Sequence, residues 1–526
     1  MKNSSFSHPK TARFHPQTQA VTMKLRLRLL RSSCVRYSTN IKELATQANH
    51  AIATRQQLFV TDPVTPGLVF FLPHGTRVFN KLIGFMKHQQ ARHGFDEVVT
   101  PLIYKTQLWE QSGHWQNYKD DMFKVVGNVL RDEKEVPIGE PGNSREIGQK
   151  SEPEIRIGEL EIGVEGVKSE NSDECEKTAN FEQSKAAETT ETVDPDALHE
   201  YGLKPMNCPG HCLIYAKFDR SYNELPIRYS DFSSLHRNEA SGALLGLTRV
   251  RRFHQDDGHI FCTLAQLPEE ISNTLKMIKD TYAVFGIAEK DIEFYLSTRP
   301  EKYMGEPETW QTAELQLAEA LDACTDKWQE RPGDGAFYGP KIDVLLTDAF
   351  GKRHQVGTVQ LDFQLPQRFQ LSYTGADGSR EHRPIMVHRA VFGSLERFFA
   401  ILLDHYQGKW PFWLNPRQAI IIPVSSRHVD AAEDVQKRLL GDIMGAHTVA
   451  PLTGYNFYVD VDKRNETVGT RIKDALHKGY SYIVMVGDRD IANGTVSVRS
   501  RDSRAVENVA VDDLYRRFIE LERAFQ

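Results

Sequence analysis

The sequence predicts two folded regions, an α+β domain followed by a smaller α/β domain. Two observations support this: predicted strands and helices alternate from Tyr201 onward, and a compact strand–helix–helix–strand pattern follows Arg417. At 526 residues the chain is too long for one ordinary domain. Its composition, 40% hydrophobic and 26% charged, is typical of a soluble globular protein. No apolar run approaches the ~18 residues needed to cross a bilayer, so we expect no membrane role.

Hydrophobic periodicity places the individual elements of both regions. Before the insertion described below, residues 77–93 predict an amphipathic helix and residues 95–104 a strand interrupted by Pro101. In the middle of the chain the predicted strands are 227–229, 258–262, 341–346 and 358–363, and the predicted helices are 268–285, 309–324 and 394–405. Residues 411–416 predict a linker, and the elements beyond it are 419–424, 429–440, 468–477 and 482–486.

The first 42 residues carry nine Lys or Arg and no Asp or Glu, and they include a basic-apolar stretch at 23–31. This composition predicts a mitochondrial transit peptide and therefore a protein of the mitochondrial matrix. The alternative is a disordered basic tail that contacts RNA. A secretory signal fits less well, because arginines interrupt each candidate apolar core.

Residues 131–200 have the opposite charge, with eight basic and twenty acidic residues, and Phe181 is their only aromatic side chain. Such a segment cannot bury enough apolar surface to offset its ordering entropy, which predicts an acidic disordered insertion. The predicted organisation is therefore a first folded segment at 43–130, a second at 201–415, and a terminal domain at 417–526. Without the two charged segments the chain is close to neutral, so a nucleic-acid site would have to be a local basic surface.

The cysteines are too few for a disulfide framework in so long a chain, which favours a reducing compartment and leaves thiols for metal binding. They are Cys34, Cys175, Cys208, Cys212, Cys262 and Cys324. On chemistry alone, a metal cluster of Cys208 and Cys212 with His211 or Cys262 is as plausible as one assembled from distant residues.

Three groups of polar residues in the middle of the chain are candidates for chemistry. They are Met206-Asn-Cys-Pro-Gly-His211, the stretch from His236-Arg-Asn-Glu239 through Arg249-Val-Arg-Arg-Phe253 to His259, and His388 with Gly393-Ser-Leu-Glu-Arg397. Each group by itself is weak evidence for a functional site, because a lone ion pair or a buried histidine usually has a structural role. The phosphate-binding loop G-x-x-x-x-G-K followed by Ser or Thr is absent from the sequence, so an ATP site would have to rely on arginines.

Together these groups resemble the signature motifs of class II aminoacyl-tRNA synthetases, and most closely those of the threonyl-tRNA synthetases. The first motif is Gly94-Phe-Asp-Glu-Val-Val-Thr-Pro101, which in that family lies at a dimer interface. The resemblance implies a class II catalytic domain, an antiparallel sheet flanked by helices, followed by an α/β anticodon-binding domain. It also implies a homodimer that activates threonine with ATP and loads it onto the threonine tRNA.

The resemblance assigns roles at the ATP site. Arg237 would hold the α-phosphate and the substrate carboxylate, and Arg249 and Arg397 the other end of the triphosphate, because a guanidinium binds phosphate oxygens bidentately. Glu239 would read the adenine amino group, Phe253 would stack on the base, and Gln360 would also contact ATP. Mg²⁺ would accompany the triphosphate.

The resemblance also assigns one Zn²⁺ per chain to Cys208, His259 and His388, with Met206, Gln255, Asp257 and Tyr338 lining the threonine pocket. An apolar pocket separates threonine from isosteric valine only about 10²-fold. A metal with an open position, which takes both the amino group and the hydroxyl as ligands, would reject valine.

By resemblance, His114 helps to deprotonate the terminal ribose of tRNA; the alternative is a packing histidine beside Trp115. Asn465, Asp490 and Arg499 would contact the anticodon, although Asp490 stands where the family more often has Glu. The terminal domain holds sixteen basic and sixteen acidic residues, so its assignment rests on pattern and not on charge.

A prolyl or seryl enzyme is the same-class alternative, which the Cys208/His259/His388 set argues against. An inactive RNA-binding paralogue and a nucleotide-binding scaffold are the others. The family's separate domain for hydrolysing mischarged serine has no counterpart here, so we expect no such editing.

Overall fold

An eight-stranded sheet organises the larger region of the chain. Its strands are β1 (Asp96–Glu97), β2 (Ile227–Asp231), β3 (Asp257–Cys262), β4 (Ile292–Ser297), β5 (Trp328–Arg331), β6 (Lys341–Thr347), β7 (Arg353–Asp362) and β8 (Ile385–Ala390). They lie in the order β5-β4-β6-β7-β8-β3-β2-β1. All neighbours pair antiparallel except the outermost pair at each edge. The predicted antiparallel sheet is therefore confirmed.

This computed structural model describes residues 49–126, 200–348, 351–441 and 456–526. The predicted transit peptide and the predicted insertion, apart from Glu200, lie outside these residues. Within the described residues, no helix is both long enough and apolar enough to span a membrane.

Helices pack on both faces of the sheet, the four longest on one face and most of the shorter ones on the other. The four longest are Pro73–Arg92, Leu267–Val284, Pro307–Cys324 and Leu395–Tyr406, and the shorter ones are Thr106–Gln111, His114–Tyr118, Cys208–Ala216 and Gln364–Arg368. The first helix buries Val78, Leu82, Phe85 and Met86, whose spacing places them on one side of a helix. It begins earlier than predicted because Pro73 is tolerated in the first turn.

The second region is the predicted α/β unit. Its strands are β9 (Ala419–Pro423), β10 (Val459–Val461), β11 (Tyr482–Val486), β12 (Thr495–Ser500) and β13 (Glu507–Ala510), in the order β10-β9-β11-β12-β13. β9 pairs parallel with β10 and β11, and the other pairs are antiparallel. The helices are Val429–Leu439, Val468–Lys478, Asp488–Asn493 and Val511–Arg523.

The predicted linker at 411–416 is not an exposed tether, because Phe412, Trp413 and Leu414 form a buried 3₁₀ turn. Polar contacts from the larger region join the terminal domain on either side of it. Arg417 Nη1 donates to the carbonyl of Gln56 at 2.6 Å, and Lys81 Nζ lies 2.7 Å from Glu522 Oε1. The two regions are therefore joined at the first and at the last residues of the terminal domain.

The remaining strands are short and lie outside the two large sheets. They are Phe59–Thr61 with Val69–Phe71, Ile103–Lys105 with Glu200–Leu203, Lys124–Val126, and the hairpin Ser234–His236 with Arg252–His254.

Candidate active site and metal centre

Three potential metal ligands that are far apart in sequence converge in the middle of the large sheet. His259 on β3 is paired in register with His388 on β8, so both side chains project from one face. Cys208, the first residue of the helix Cys208–Ala216, completes the group. The three ligand atoms lie within 4.8 Å of one another, and all three residues are buried. The fold thus assembles the predicted trio.

The second ring nitrogen of each histidine is also occupied. His259 Nε2 faces His388 Nδ1 at 2.9 Å. On their far sides, His388 Nε2 is 2.9 Å from Asp362 Oδ2, and His259 Nδ1 is 2.8 Å from His211 Nδ1. Metal-binding histidines almost always use the non-ligating nitrogen in this way, which fixes the tautomer and the ring orientation.

The local cysteine cluster, which sequence chemistry left open, does not form. Cys212 Sγ lies 3.8 Å from Met386 Sδ, and Cys262 is packed in the main apolar core on the other face of β3. Among the described residues, one group of His, Cys, Asp or Glu side chains is placed to hold a metal ion, and it consists of Cys208, His259 and His388.

Burial favours the uncharged form of two members of this trio. It raises the pKa of the Cys208 thiol well above its usual value and lowers the pKa of His259. A divalent cation stabilises a buried thiolate and binds neutral imidazole. One sulfur and two nitrogens suit Zn²⁺, and three ligands leave it a position for substrate. The residues present therefore fit the metal.

Polar side chains predicted for the amino acid surround the trio. Asp257 Oδ1 is 3.8 Å from His259 Nε2, and its other oxygen accepts from Asn207 Nδ2 at 3.1 Å. The Tyr338 ring lies 5.3 Å from that of His388, and its hydroxyl donates to Gln360 Oε1 at 2.5 Å.

Two further predicted residues flank this pocket. Met206 is half-buried two residues before Cys208, and Gln255 pairs through its backbone with Ser394 at the start of the helix Leu395–Tyr406. Gln360, predicted to contact ATP, is in register with His388 and so lies at the amino-acid end.

A second cluster consists of the three predicted arginines. The Arg397 guanidinium is held by the carbonyls of Thr248 (3.0 Å) and Gln355 (2.8 Å). Burial lowers the pKa of Arg397, and the positive charges of Arg237 and Arg249 lower it further. Three neighbouring guanidinium groups with the single carboxylate of Glu239 beside them form a site suited to a polyanion.

The residues predicted for adenine are engaged with these arginines. Glu239 Oε2 lies 2.7 Å from Arg249 Nη2, and the Arg237 guanidinium stacks 5.0 Å from the Phe253 ring centre. Tyr118, which the sequence did not single out, lies 5.8 Å from the same guanidinium.

His114 is buried beside the trio. Its Nε2 is 4.0 Å from Cys208 Sγ, and its Nδ1 is 2.8 Å from Ser112 Oγ. Its ring packs against Trp109 and Phe337. Burial lowers the pKa of His114 to about 4, so the imidazole is neutral near pH 7.

The three predicted anticodon contacts lie in the terminal domain but differ in availability. Asn465 is exposed. Arg499 on β12 is half-exposed and donates through Nε to the Ser503 carbonyl at 3.2 Å. Asp490 is almost buried, and its oxygens accept from the Gly487 amide (3.0 Å) and the Ser497 hydroxyl (2.9 Å). Asp490 thus has a structural role that the sequence did not indicate.

Sequence reasoning also missed the residues that join the motifs. Glu396 accepts from the His254 amide at 2.9 Å and lies 2.9 Å from His254 Nδ1, which links the hairpin to the helix Leu395–Tyr406. Asp362 supports His388 in a similar way. Glu396 and Asp362 are both far in sequence from the histidines that they contact, so no local sequence pattern predicts these pairs.

Comparison with known proteins agrees with this architecture. Residues 190–406 match the family described as the tRNA synthetase class II core domain (G, H, P, S and T), and residues 418–521 match the anticodon binding domain family. The crystal structure of the RNA binding domain of threonyl-tRNA synthetase from Cryptosporidium parvum superposes with a TM-score of 0.72 at 36% identity, covering 90% of this chain and 98% of that one.

Two fungal proteins are similar over nearly their whole length. The mitochondrial threonine–tRNA ligase of Saccharomyces cerevisiae is 47% identical over 90% of this chain and 91% of its own. A probable mitochondrial threonine–tRNA ligase of Schizosaccharomyces pombe is 42% identical over 93% of each chain. The chain therefore belongs to the threonine–tRNA ligase family of class II tRNA synthetases.

Proposed function

We propose that this protein is a threonine–tRNA ligase of mitochondrial translation, which forms threonyl-adenylate from threonine and ATP and transfers the threonyl group to the 3′-terminal ribose of the threonine tRNA. The observation that carries this proposal is the meeting of the buried Cys208/His259/His388 trio with a cluster of three arginines in one site.

Adenylate formation is an in-line attack of a carboxylate on the α-phosphate, for which a protein supplies positioning and charge. Arg237 binds the α-phosphate and the carboxylate, while Arg249 and Arg397 bind the distal phosphates, with Mg²⁺ on the triphosphate. Glu239 leaves Arg249 to meet the adenine amino group, and Phe253 stacks on the base. Gln360 contributes at the junction of the two substrates.

Bound by the trio, Zn²⁺ would act as a Lewis acid that accepts the amino group and the hydroxyl of threonine. Valine lacks the hydroxyl and would therefore be rejected. Asp257, Gln255 and Tyr338 orient the threonine, and Met206 closes one side of the pocket.

For the transfer step, neutral His114 accepts a proton from the terminal ribose. Its burial next to Cys208 supports a location at the amino-acid end, where the ribose must arrive. In the terminal domain, Asn465, Arg499 and Asp490 contact anticodon bases, with Asp490 acting in part through the turn that it braces.

We place the enzyme in the mitochondrial matrix as a homodimer. The basic residues 1–42 support the location. For the dimer, β1 is a two-residue edge strand followed by the exposed side chains of Val99, Leu102 and Ile103, an apolar edge that a second copy would cover.

The test is pyrophosphate exchange measured with each of the twenty amino acids in turn. We expect exchange with threonine, weaker exchange with serine, and none above background with valine. Exchange that is strongest with proline, or absent with every amino acid in a folded metal-loaded protein, would contradict the proposal.

A further inference from the structure

His211 contacts the metal-ligand trio without belonging to it. It lies three residues after Cys208 on the helix Cys208–Ala216, and its side chain is fully buried. Its Nδ1 is 2.8 Å from Nδ1 of His259, and the two rings stand edge to face with centres 4.7 Å apart. His211 itself takes no part in the proposed binding of substrates or in the proposed proton transfer.

The proton positions in this contact follow from imidazole chemistry. A neutral histidine that binds a metal through one nitrogen carries its proton on the other. His259 directs Nε2 toward the trio, where it faces His388 Nδ1 at 2.9 Å. Nδ1–H of His259 is therefore the donor, and Nδ1 of His211 is the acceptor. The remaining proton of His211 is on Nε2, which is buried and has no hydrogen-bond partner among the residues that the structure describes.

The two ligand histidines have partners of different charge. His388 has Asp362, a carboxylate whose Oδ1 is itself fixed by the amides of Gln364 (2.7 Å) and Leu365 (2.9 Å). His259 has the neutral ring of His211, which packs edge-on against Tyr229 at 5.9 Å. Both partners are rigidly held, so each can fix the orientation of a ligand ring.

We propose that His211 is a positioning residue of the metal centre, which holds His259 in the tautomer and orientation that present Nε2 to the ion. This inference rests on the zinc site proposed above. Cys208 and His211 lie on the same helical turn, three residues apart. A single turn therefore supplies one ligand and the support of a second.

The test compares His211 variants of the full chain by zinc affinity, measured in competition with a chromophoric chelator. We expect His211→Leu, which removes the acceptor, to weaken zinc binding by about 10–100-fold. His211→Asn places an amide oxygen near the position of Nδ1 and should restore affinity to within a few-fold. Cys212→Ala, one residue further along the same helix, is the matched control and should bind zinc normally.

The visible spectrum of the cobalt-substituted protein separates support from ligation. We expect the same band positions in His211→Leu as in the unmutated protein, because the three ligands remain. Bands that report the loss of a nitrogen ligand would overturn the proposal, and so would a zinc affinity for His211→Leu within twofold of normal.

If His211→Leu does not fold, the comparison moves to His211→Asn and His211→Gln. The glutamine side chain is one bond longer, so its amide oxygen lies further from the position of Nδ1. We therefore expect the His211→Gln protein to bind zinc more weakly than the His211→Asn protein; equal affinities would overturn the inference. Retention of zinc by Cys208→Ala would instead refute the proposed metal site, and the inference with it.

Discussion

The metal end and the nucleotide end of the site are built differently. His259 and His388 lie on neighbouring central strands, and each is fixed by a buried partner. The arginines lie on a hairpin and a helix start, and Arg249 is 53% exposed and paired with Glu239. The sheet register sets the first end before any ligand arrives, whereas the proposed function requires Arg249 and Glu239 at the second end to exchange each other for ligand contacts. The side chains at the metal end, which the proposed function uses to select the amino acid, are therefore more strongly pre-organised than those at the nucleotide end.

The largest effect should come from the metal end. Replacing Cys208 with Ala removes the only sulfur in the trio, and we expect the bound zinc to be lost altogether, together with threonine activation. Metal content by mass spectrometry and pyrophosphate exchange measure the two losses. Cys212→Ala should keep both the bound zinc and threonine activation. Loss of zinc in Cys212→Ala with retention in Cys208→Ala would instead support the local cysteine cluster.

At the nucleotide end, Arg397→Ala should lower threonine-dependent pyrophosphate exchange by about 10²–10³-fold, the effect of removing one preorganised charge from a transition state. Zinc content should not change, because Arg397 contacts Thr248 and Gln355 and none of the ligands. Arg353→Ala, an exposed arginine on β7, is the control. Near-normal exchange in folded Arg397→Ala would remove the phosphate assignment.

His114 tests whether the metal end also serves the transfer step. We expect His114→Ala to slow aminoacylation of tRNA by about 10²-fold, the lower end of general-base effects, while pyrophosphate exchange stays near normal. Single-turnover transfer from preformed adenylate is the direct measurement. Equal losses in both reactions would indicate a packing role against Trp109 and Phe337.

The smallest effect should come from the ion pair between Glu239 and Arg249. Glu239→Gln keeps an acceptor for adenine but removes the exposed pair with Arg249, which is worth about 0.2–1 kcal/mol. The KM for ATP should change by no more than about fivefold. Glu239→Ala also removes the acceptor and should raise the KM further. A large, equal increase in both variants would mean that the carboxylate charge itself is required.

Much of the fold follows from local patterns, because its long helices have clear apolar stripes and flanking prolines. The strands β4, β5 and β8 are not predicted from the sequence, and for β8 there is a physical reason. It is buried on both faces, so it lacks the alternation of a half-exposed strand, and it contains His388 and Arg389. Arg389 is tolerated there because it pairs with Asp256 at 3.4 Å, a contact between residues remote in sequence.

The site divides in a similar way. Residue types and motifs identified the arginines and the trio, although chemistry alone left two metal clusters open. The register between β3 and β8 decides between them, and register is a property of strand pairing that no single segment encodes. The supports, Asp362 and His211, could not be ranked from sequence because their partners lie 26 and 48 residues away.

The attachment of the terminal domain has a mechanical consequence. Arg417 is hydrogen-bonded to Gln56 near the domain's beginning and Glu522 is paired with Lys81 near its end, so contacts at both ends of the domain restrict its rotation. We therefore expect the proposed anticodon surface and the proposed zinc pocket to keep a nearly constant separation when tRNA binds.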